Sequence, residues 1–421
     1  MPNHPPLPDA DADADADVRR RRSERALDAA NLFLADVRDG LGPYLAIYLI
    51  AVRGPERGWN EATVGLVLTI AGIAGLLMTT PAGALIDKVR AKRAILVAAA
   101  VAVTAGSLAL PFVSGFGPVV VSQSLAAVAG TVFAPGLTAI SLGIVGARGF
   151  TRRVGRNEAF NHAGNAVAAV IAGGTAWYFG PVAVFYLMAA LAVLSIGAIL
   201  RIDPTTIDHA VARGCADEDD RDDGPPPSIL QTLTHTPALG IFAACAFLFH
   251  LSNAAMLPSV GQLLGREVGA GQATSLMAAC IAGAQLVMVP VAIVIGKKAD
   301  AWGHKPIFLF GFAVLALRGV LYTLSDSPAW LLGVQLLDGI GAGIFGALFP
   351  VVIAAVTRGS GRFNVAQGAV ATVQGLGGAL SPTIAGALIV WGGYDEAFLV
   401  LAGIAALGLA LYAWRVPETA R

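Results

Sequence analysis

Long apolar stretches, separated by short polar segments, occupy most of this chain. Each stretch has about 20 residues, which is enough for a helix to cross roughly 30 Å of hydrocarbon. Strands of a membrane barrel would be about half as long and would alternate apolar with polar residues. The pattern therefore predicts an all-α polytopic membrane protein. Its twelve predicted transmembrane helices cover about 29–52, 62–86, 94–114, 117–146, 158–180, 181–201, 237–264, 272–296, 306–325, 328–357, 364–390 and 396–416.

Composition supports a membrane protein and excludes other classes. Of the 421 residues, 56% are hydrophobic and 13% are charged, whereas soluble domains average about 25% charged residues. Lys and Arg balance Asp and Glu at 28 each, so a nucleic-acid partner is not expected. Three cysteines, Cys215, Cys245 and Cys280, neither build a disulfide scaffold nor form metal-ligand pairs.

Basic residues predict the orientation of the helices. With the amino terminus in the cytoplasm, the outer loops contain only Arg53, Arg57 and Arg266, and the interiors of the predicted spans contain Arg38 and Arg318. All other lysines and arginines then lie on the cytoplasmic side, as the positive-inside rule requires. We therefore expect a multi-pass protein of the cell (inner) membrane with both termini in the cytoplasm.

The polar segments divide the chain into two halves. A cytoplasmic tail over 1–28, with alternating Asp and Ala followed by four arginines, has the composition of a disordered segment rather than a signal peptide. Six-helix bundles are predicted at 29–201 and 237–416, with a short cytoplasmic tail at 417–421. The linker 202–236 contains the acidic run 217–223, which favours a solvated linker, with a regulatory role as the alternative.

The two halves repeat each other. GALIDKVRAKR at 83–93 matches GKKADAWGHKP at 296–306, and QSLAAVAGTVF at 123–133 matches QLLDGIGAGIF at 335–345. FLADVRD at 33–39 matches FLFHLSN at 247–253. The nearly constant separation indicates duplication of a six-helix unit, a plan used by transporters that bind substrate near the midplane between the halves.

The loop after the second predicted helix carries a family resemblance. Its polar positions are Gly83, Asp87, Lys88, Arg90, Lys92 and Arg93. Over its helical length the chain resembles the major facilitator superfamily, whose motif here is Gly, three residues, Asp, a basic residue, Gly and further basic residues. Arg90 stands where the second glycine is usual, and the second copy keeps that glycine as Gly303.

The resemblance implies a fold and a gate. It implies two six-helix bundles that rock around one central site. It also implies that Asp87 joins the cytoplasmic gate by pairing with basic loop residues or with the amino end of helix eleven near Arg362, and that Asp300 takes this role in the second copy. A simple helix end at the membrane surface is the alternative for both carboxylates.

Ionisable and amide side chains inside predicted spans are the candidate site. An ionisable group at that depth costs about 2.5–3.5 kcal/mol on insertion scales, so it calls for a function or a partner. Asp36 and Asp39 share a face of helix one, next to a Gly-Pro segment at 40–43 that favours a break. They are candidates for binding protons or a cationic substrate, with an internal ion pair to Arg38 as the alternative.

Other polar residues fall on helices that line or flank the cavity of the resembled fold. They are Asn161, His162, Asn165, His250, Asn253, Gln335, Asp338, Gln367 and Gln374. Asp338 is the strongest candidate in the second half because it is a lone carboxylate in an apolar run, and the matching residue of the first half is Ala126. A hydrogen bond to a neighbouring helix is its alternative, and helix-to-helix contacts are the alternative for the Asn and His residues.

These features predict secondary active transport of a small organic molecule, coupled to protons through buried carboxylates, by a monomer that needs no cofactor or metal. Efflux is favoured over uptake, although 122–130 lacks the arginine and Ala169-Val170 replaces the Gly-Pro of the family's drug–proton antiporters. A proton-coupled importer is the first alternative. A metal-ion carrier and a non-transporting receptor remain as other classes, and no catalytic motif predicts an enzyme.

Overall fold

A computed structural model describes residues 10–39, 42–213, 231–233, 236–357 and 363–419, and the regular structure there is helical. The first half contains α1 (Ala10–Asp39), α2 (Gly42–Ile47), a π-helical segment (Tyr48–Arg53), α3 (Gly54–Arg57), α4 (Glu61–Lys88), α5 (Lys92–Ala109), α6 (Phe116–Gly130), α7 (Phe133–Phe179) and α8 (Ala183–Leu200). The second half contains α9 (Pro237–Asn253), α10 (Met256–Val268), α11 (Ala270–Trp302), α12 (His304–Tyr322), α13 (Pro328–Val356), α14 (Phe363–Gly392) and α15 (Tyr394–Arg415).

Ten helical stretches among the described residues are long and apolar enough to span a membrane. The other two predicted spans differ from single apolar helices. The span at 29–52 is divided between α1, which ends at Asp39, and α2, which begins at Gly42 and continues into the π-helical segment. The span at 158–180 belongs to α7, which is continuous with the preceding span across a kink at Gly146. The positive φ of 68° there suits glycine because it has no Cβ.

The amino-terminal helix is longer than the sequence analysis predicted. α1 begins at Ala10, within the segment expected to be a disordered tail to residue 28. Pairs one turn apart support this helix: Arg21 binds Asp17 at 2.8 Å, and Arg20 binds Glu24 at 3.3 Å. The expectation of disorder rested on composition alone. Composition does not reveal ion pairs between residues four apart, which stabilise a helix.

The linker is also partly structured. Between α8 and residue 213 it forms two short 3₁₀ turns, and the backbone N–H of Asp208 donates to the carbonyl of Gly143 at 3.0 Å. Ile202 and Ile207 are buried against the first half. The acidic run 217–223 lies outside the described residues.

Within each half, long helices pack side by side, with α1 against α7 and α8, and α9 against α14 and α15. Between the halves, two pairs of helices make the main contacts, α4 with α14 and α7 with α11. We call these contacts the α4/α14 seam and the α7/α11 seam. The end of the bundle where α4 begins is called the Glu61 end, and the opposite end, where α4 finishes, is called the Asp87 end.

Candidate functional site

The two halves are fastened together at the Glu61 end by three side chains, which we call the latch. Asn60 caps α4 by accepting from the backbone N–H of Thr63 at 2.9 Å, which places Glu61 in the first turn. Glu61 Oε1 accepts from Arg266 Nε at 2.7 Å and from the Tyr394 hydroxyl at 2.6 Å. Only 2% of Glu61 is exposed. A nearly buried carboxylate of the first half is thus bound by a cation and a hydroxyl of the second half.

The α4/α14 seam continues this closure toward the middle of the molecule. The hydroxyl of Thr69 donates to the carbonyl of Ala379 at 2.6 Å, and Thr383 donates to the Thr69 hydroxyl at 2.8 Å. The backbones approach so closely that a Cβ on Gly65 would overlap the carbonyl of Pro382. Small residues allow such close helix contacts in membranes. The seam therefore depends on glycine at position 65.

The α7/α11 seam closes over a shorter length and then opens. Ser275 donates to the carbonyl of Gly173 at 2.8 Å, and a Cβ on Gly173 would lie 2.9 Å from the Cβ of Ala278. Further toward the Asp87 end the helices enclose a crevice of about 560 Å³, which His162 and Gln285 line from opposite halves.

At the Asp87 end, Lys92 and Arg93 of the predicted gate donate to backbone carbonyls of the first half. Lys92 is buried and donates through Nζ to the carbonyl of Val89 at 3.0 Å, and Arg93 donates to the carbonyl of Leu200 at 2.7 Å. Asp87, Lys88 and Arg90 are exposed, and Gly83 is half-buried. No hydrogen bond or ion pair joins Asp87 to another described residue. The side chain of Asp300, and Arg362 as a whole, lie outside the described residues.

The second copy of the loop motif is held by the carboxy-terminal tail. Gly303 has a φ of 87° and precedes α12. Glu418 accepts from the backbone N–H of His304 at 2.9 Å and of Lys305 at 3.2 Å. A carboxylate is favourable at a helix amino terminus. The sequence analysis did not assign a role to Glu418, because the tail showed no motif.

Three predicted site residues meet in one buried cluster of the second half. Asp338 accepts from Arg318 Nη1 through one oxygen and from Gln335 Nε2 at 3.2 Å through the other. Arg318 Nη2 donates to Asn253 Oδ1 at 2.6 Å, and the Tyr322 hydroxyl donates to Gln335. Arg318 is 2% exposed. The carboxylate that is isolated in its own apolar run therefore has a charged partner on α12.

A second polar contact of this half lies on α9 and α14. His250 Nε2 and Gln374 Nε2 are 3.0 Å apart, and His250 Nδ1 lies 3.1 Å from the carbonyl oxygen of Ala246. The ring of Phe345 stands edge-on to the His250 ring at 4.7 Å. His250 and Asn253, predicted to share a face, thus contact different partners. Gln367 is half-buried on the same helix as Gln374.

The first half has its own buried ion cluster, which the sequence analysis missed. Asp28 accepts from Arg153 and from Arg156, each at 2.6 Å, and Arg153 also donates to Asn157 at 2.8 Å. The hydrogen bond and the charge of Asp28 raise the pKa of the Arg156 guanidinium above its ordinary value. Asn31 of α1 donates to the Asn157 side chain of α7 at 3.2 Å. These groups fix α1 against α7.

The remaining candidates of the first half are placed unevenly. Asn161 is buried, and His162 and Asn165 are half-buried on α7. Asp36 and Asp39 lie on α1, but their side chains are outside the described residues. Among the side chains that the structure describes, no group of three or more His, Cys, Asp or Glu residues could hold a metal ion.

Comparisons with known proteins agree with this architecture. The family model described as Major Facilitator Superfamily matches residues 30–240 and 242–421. An uncharacterised MFS-type transporter of Mycobacterium tuberculosis is 53% identical over 398 residues, which cover 94% of both chains. A tetracenomycin C resistance and export protein of Streptomyces glaucescens is 34% identical over 120 residues, covering 27% of this chain and 22% of that protein.

A crystal structure of the nucleoside transporter NupG superimposes with a TM-score of 0.71 at 13% identity, covering 94% of this chain and 98% of that one. At such low identity the likeness shows the fold. Fold, repeat and family model agree, and the proteins that share them are membrane transporters rather than enzymes. The chain belongs to the Major Facilitator Superfamily.

Proposed function

We propose that this protein is a proton-coupled exporter of a small organic molecule in the cell (inner) membrane, and that it works by alternating access as a monomer. One observation supports the alternating-access part most strongly. The halves are joined by the latch and by close backbone contacts at the Glu61 end, while Asp87 at the opposite end has no partner among the described residues. Such asymmetry is expected of a rocking pair of bundles.

The orientation follows from the basic residues. Because Lys88, Arg90, Lys92 and Arg93 cluster at the Asp87 end, the positive-inside rule places that end in the cytoplasm. The conformation is then the one open to the cytoplasm, from which an exported molecule would enter. The Streptomyces relative, whose name records resistance and export, supports efflux over uptake.

Asp338 is our leading proton-binding residue in the second half. Arg318 and a proton compete for the Asp338 carboxylate. Protonation of Asp338 removes the charge that Arg318 binds, and the cluster with Asn253 and Gln335 must then rearrange. A change in one buried ion pair can bias two packed states in this way. Asp36 and Asp39 on α1 are the proposed counterparts in the first half.

The proposed gate uses residues of both ends alternately. When the Glu61 end opens, the latch breaks and Asp87 approaches the second half, where basic loop residues or the amino end of α14 near Arg362 are its proposed partners. Asp300 is proposed to take the same role in the second copy of the motif. Polar contacts to the substrate path are proposed to come from His250, Gln374, Gln367, Asn161 and Asn165. Asp87→Asn should therefore slow the cycle without abolishing substrate binding.

The test is substrate-driven proton movement in proteoliposomes loaded with a pH-sensitive dye. Cationic drugs, organic acids and sugars are added in turn to wild type, Asp39→Asn and Asp338→Asn, with exposed Asp326→Asn as the matched control. A signal that survives in the control and is lost in Asp39→Asn or Asp338→Asn supports the proposal. Equal signals in all four proteins would remove these carboxylates from the mechanism.

A second arm separates export from import. An outward-directed and an inward-directed proton gradient are imposed in turn, and substrate movement is followed. An exporter that exchanges substrate for protons moves the two in opposite directions, whereas a proton-coupled importer moves them together. Co-directional movement would therefore contradict the efflux part of the proposal and favour uptake.

A further inference from the structure

The crevice at the α7/α11 seam has the size and lining of a ligand site. Its volume of about 560 Å³ falls within the roughly 300–1,000 Å³ range of pockets for drug-sized molecules. Apolar side chains form most of its wall, including Leu286, Val289 and Ile293 of α11. Because α7 and α11 belong to different halves, a molecule bound here would contact both moving parts.

Two polar atoms in this wall have no partner. His162 Nδ1 of the first half and Gln285 Oε1 of the second half are buried, and neither has a hydrogen bond to any described residue. Buried polar atoms in proteins are nearly always paired, so two orphaned atoms on one cavity call for a ligand group. The Gln285 carbonyl oxygen can only accept, while the imidazole nitrogen can donate or accept according to its tautomer. The missing group must therefore carry an N–H or O–H donor.

The charge of Glu158 narrows the choice of ligand group further. Glu158 lies one turn before His162 on α7 and is exposed at the rim of the crevice. It is the one charged side chain among the described residues that line the cavity. A carboxylate without a cationic neighbour in the wall attracts a cation and repels an anion. A protonated amine meets both requirements, because it donates N–H groups and carries positive charge.

We propose that the crevice binds an amphipathic amine, and that this is the substrate class of the transporter. The apolar body lies against Leu286, Val289 and Ile293, and the ammonium group donates to Gln285 Oε1 near the Glu158 carboxylate. This inference rests on the proposed transport function and makes it more specific. Since the ligand bridges the halves, its binding shifts the balance between their arrangements.

The probes are three molecules with one fluorescent body and different head groups. Dansylcadaverine carries a primary ammonium group, its N-acetyl derivative is neutral, and dansyl-6-aminohexanoate is an anion. Equilibrium binding to the purified full chain is followed by dansyl fluorescence. The amine is expected to bind at least tenfold more tightly than its N-acetyl derivative, and the anion is expected to bind most weakly.

Variants locate the binding. Gln285→Leu removes the acceptor and should weaken amine binding about tenfold. It also removes an unpaired buried atom, so its thermal stability should not fall. Glu158→Gln should weaken the amine about twofold to fivefold, because an exposed charge pair contributes little. Glu396→Gln, an exposed carboxylate outside the crevice, is the matched control and should leave the affinity unchanged.

The outcomes separate this inference from the transport proposal. Unchanged amine affinity in Gln285→Leu and Glu158→Gln would overturn the crevice site, even if proteoliposomes transport another compound. Equal binding of all three probes would mean a groove for lipid-like molecules and would also overturn it. Amine binding that depends on both side chains, without movement of the amine into proteoliposomes, would contradict its role as substrate while the site itself would stand.

Discussion

The two seams between the halves join the same rigid parts in different ways. The α4/α14 seam is closed by backbone contacts at Gly65, by the Thr69 hydrogen bonds and by the latch at its end. The α7/α11 seam is closed at Gly173 and then widens into a crevice lined by His162 and Gln285. The α4/α14 seam is closely packed, as expected of a seal. The α7/α11 seam has unpaired polar atoms, as expected of a binding site.

The difference between the seams shows that closing the interface and recognising a ligand need opposite properties of packing and of polar pairing. A seal works when small residues leave no space and every polar atom has a partner. A binding site needs space and polar atoms that have no hydrogen-bond partner within the protein and are free to bind a ligand. On our proposal, both seams move as one interface, and the α7/α11 seam is the one that discriminates between molecules.

Substitution of Gly65 should have the largest effect on the difference between the two seams, because it opens the α4/α14 seam. In Gly65→Ala the new methyl overlaps the Pro382 carbonyl. The population of molecules that are closed at the Glu61 end should therefore fall more than tenfold. Overpacked contacts commonly cost about 1–3 kcal/mol. Spin labels at Tyr178 and Ser325, at the Glu61 end of each half, should report longer distances by pulsed EPR.

Gly75→Ala is the control on the same helix, since its Cβ would stand 3.5 Å from Ala127 in ordinary contact. Identical distance distributions for Gly65→Ala and wild type would mean that the α4/α14 seam is not tightly closed.

Two adjacent glycines test the other seam. Gly173→Ala brings a methyl to 2.9 Å from Ala278, whereas Gly174→Ala enters open space. We expect about a tenfold loss of the closed arrangement for the first and no change for the second, measured with the same labels. A matching loss in both variants would indicate a general effect of alanine on α7 rather than contact across the seam.

Neutralising the latch should have a smaller effect. Glu61→Gln keeps an acceptor for Arg266 and Tyr394 but removes the charge, and Arg266 is half-exposed, so screening limits the loss. About a fivefold rise in the open Glu61 end is expected, read as faster reaction of a cysteine placed at residue 62 with a water-soluble maleimide. An unchanged reaction rate would show that the latch does not hold this end.

Tyr394→Phe should have the smallest effect of the series. It removes one hydrogen bond to Glu61 and leaves the ion pair with Arg266. A single hydrogen bond contributes about 0.5–1.5 kcal/mol, so a change of about threefold in the same cysteine reaction is expected. An effect larger than that of Glu61→Gln would reverse our ranking of the latch contacts.

Sequence patterns predicted the helices and the repeat, because apolar length and periodicity are local properties. They also selected Asn253, Gln335 and Asp338, which the structure brings together. Arg318 was visible as a charge in a predicted span, but its partner could not be read from one helix alone.

The latch was not predicted. Glu61, Arg266 and Tyr394 each stand at a span boundary, where charged and aromatic residues are common, and they are far apart in the sequence. Likewise, the orphaned Gln285 was not selected, since an amide in an apolar run does not show whether it has a partner.

A reversible cross-link tests the central claim that the halves must separate along the α4/α14 seam. A Cβ at Gly72 would lie 3.2 Å from the Cβ of Ala379 across the α4/α14 seam, close to the roughly 3.5–4.5 Å of a disulfide. Gly72→Cys/Ala379→Cys is prepared in a background with the native cysteines replaced, and proton-coupled transport is measured before and after oxidation. The account predicts that the disulfide stops transport and that reduction restores it. Full transport by the cross-linked protein would contradict the account.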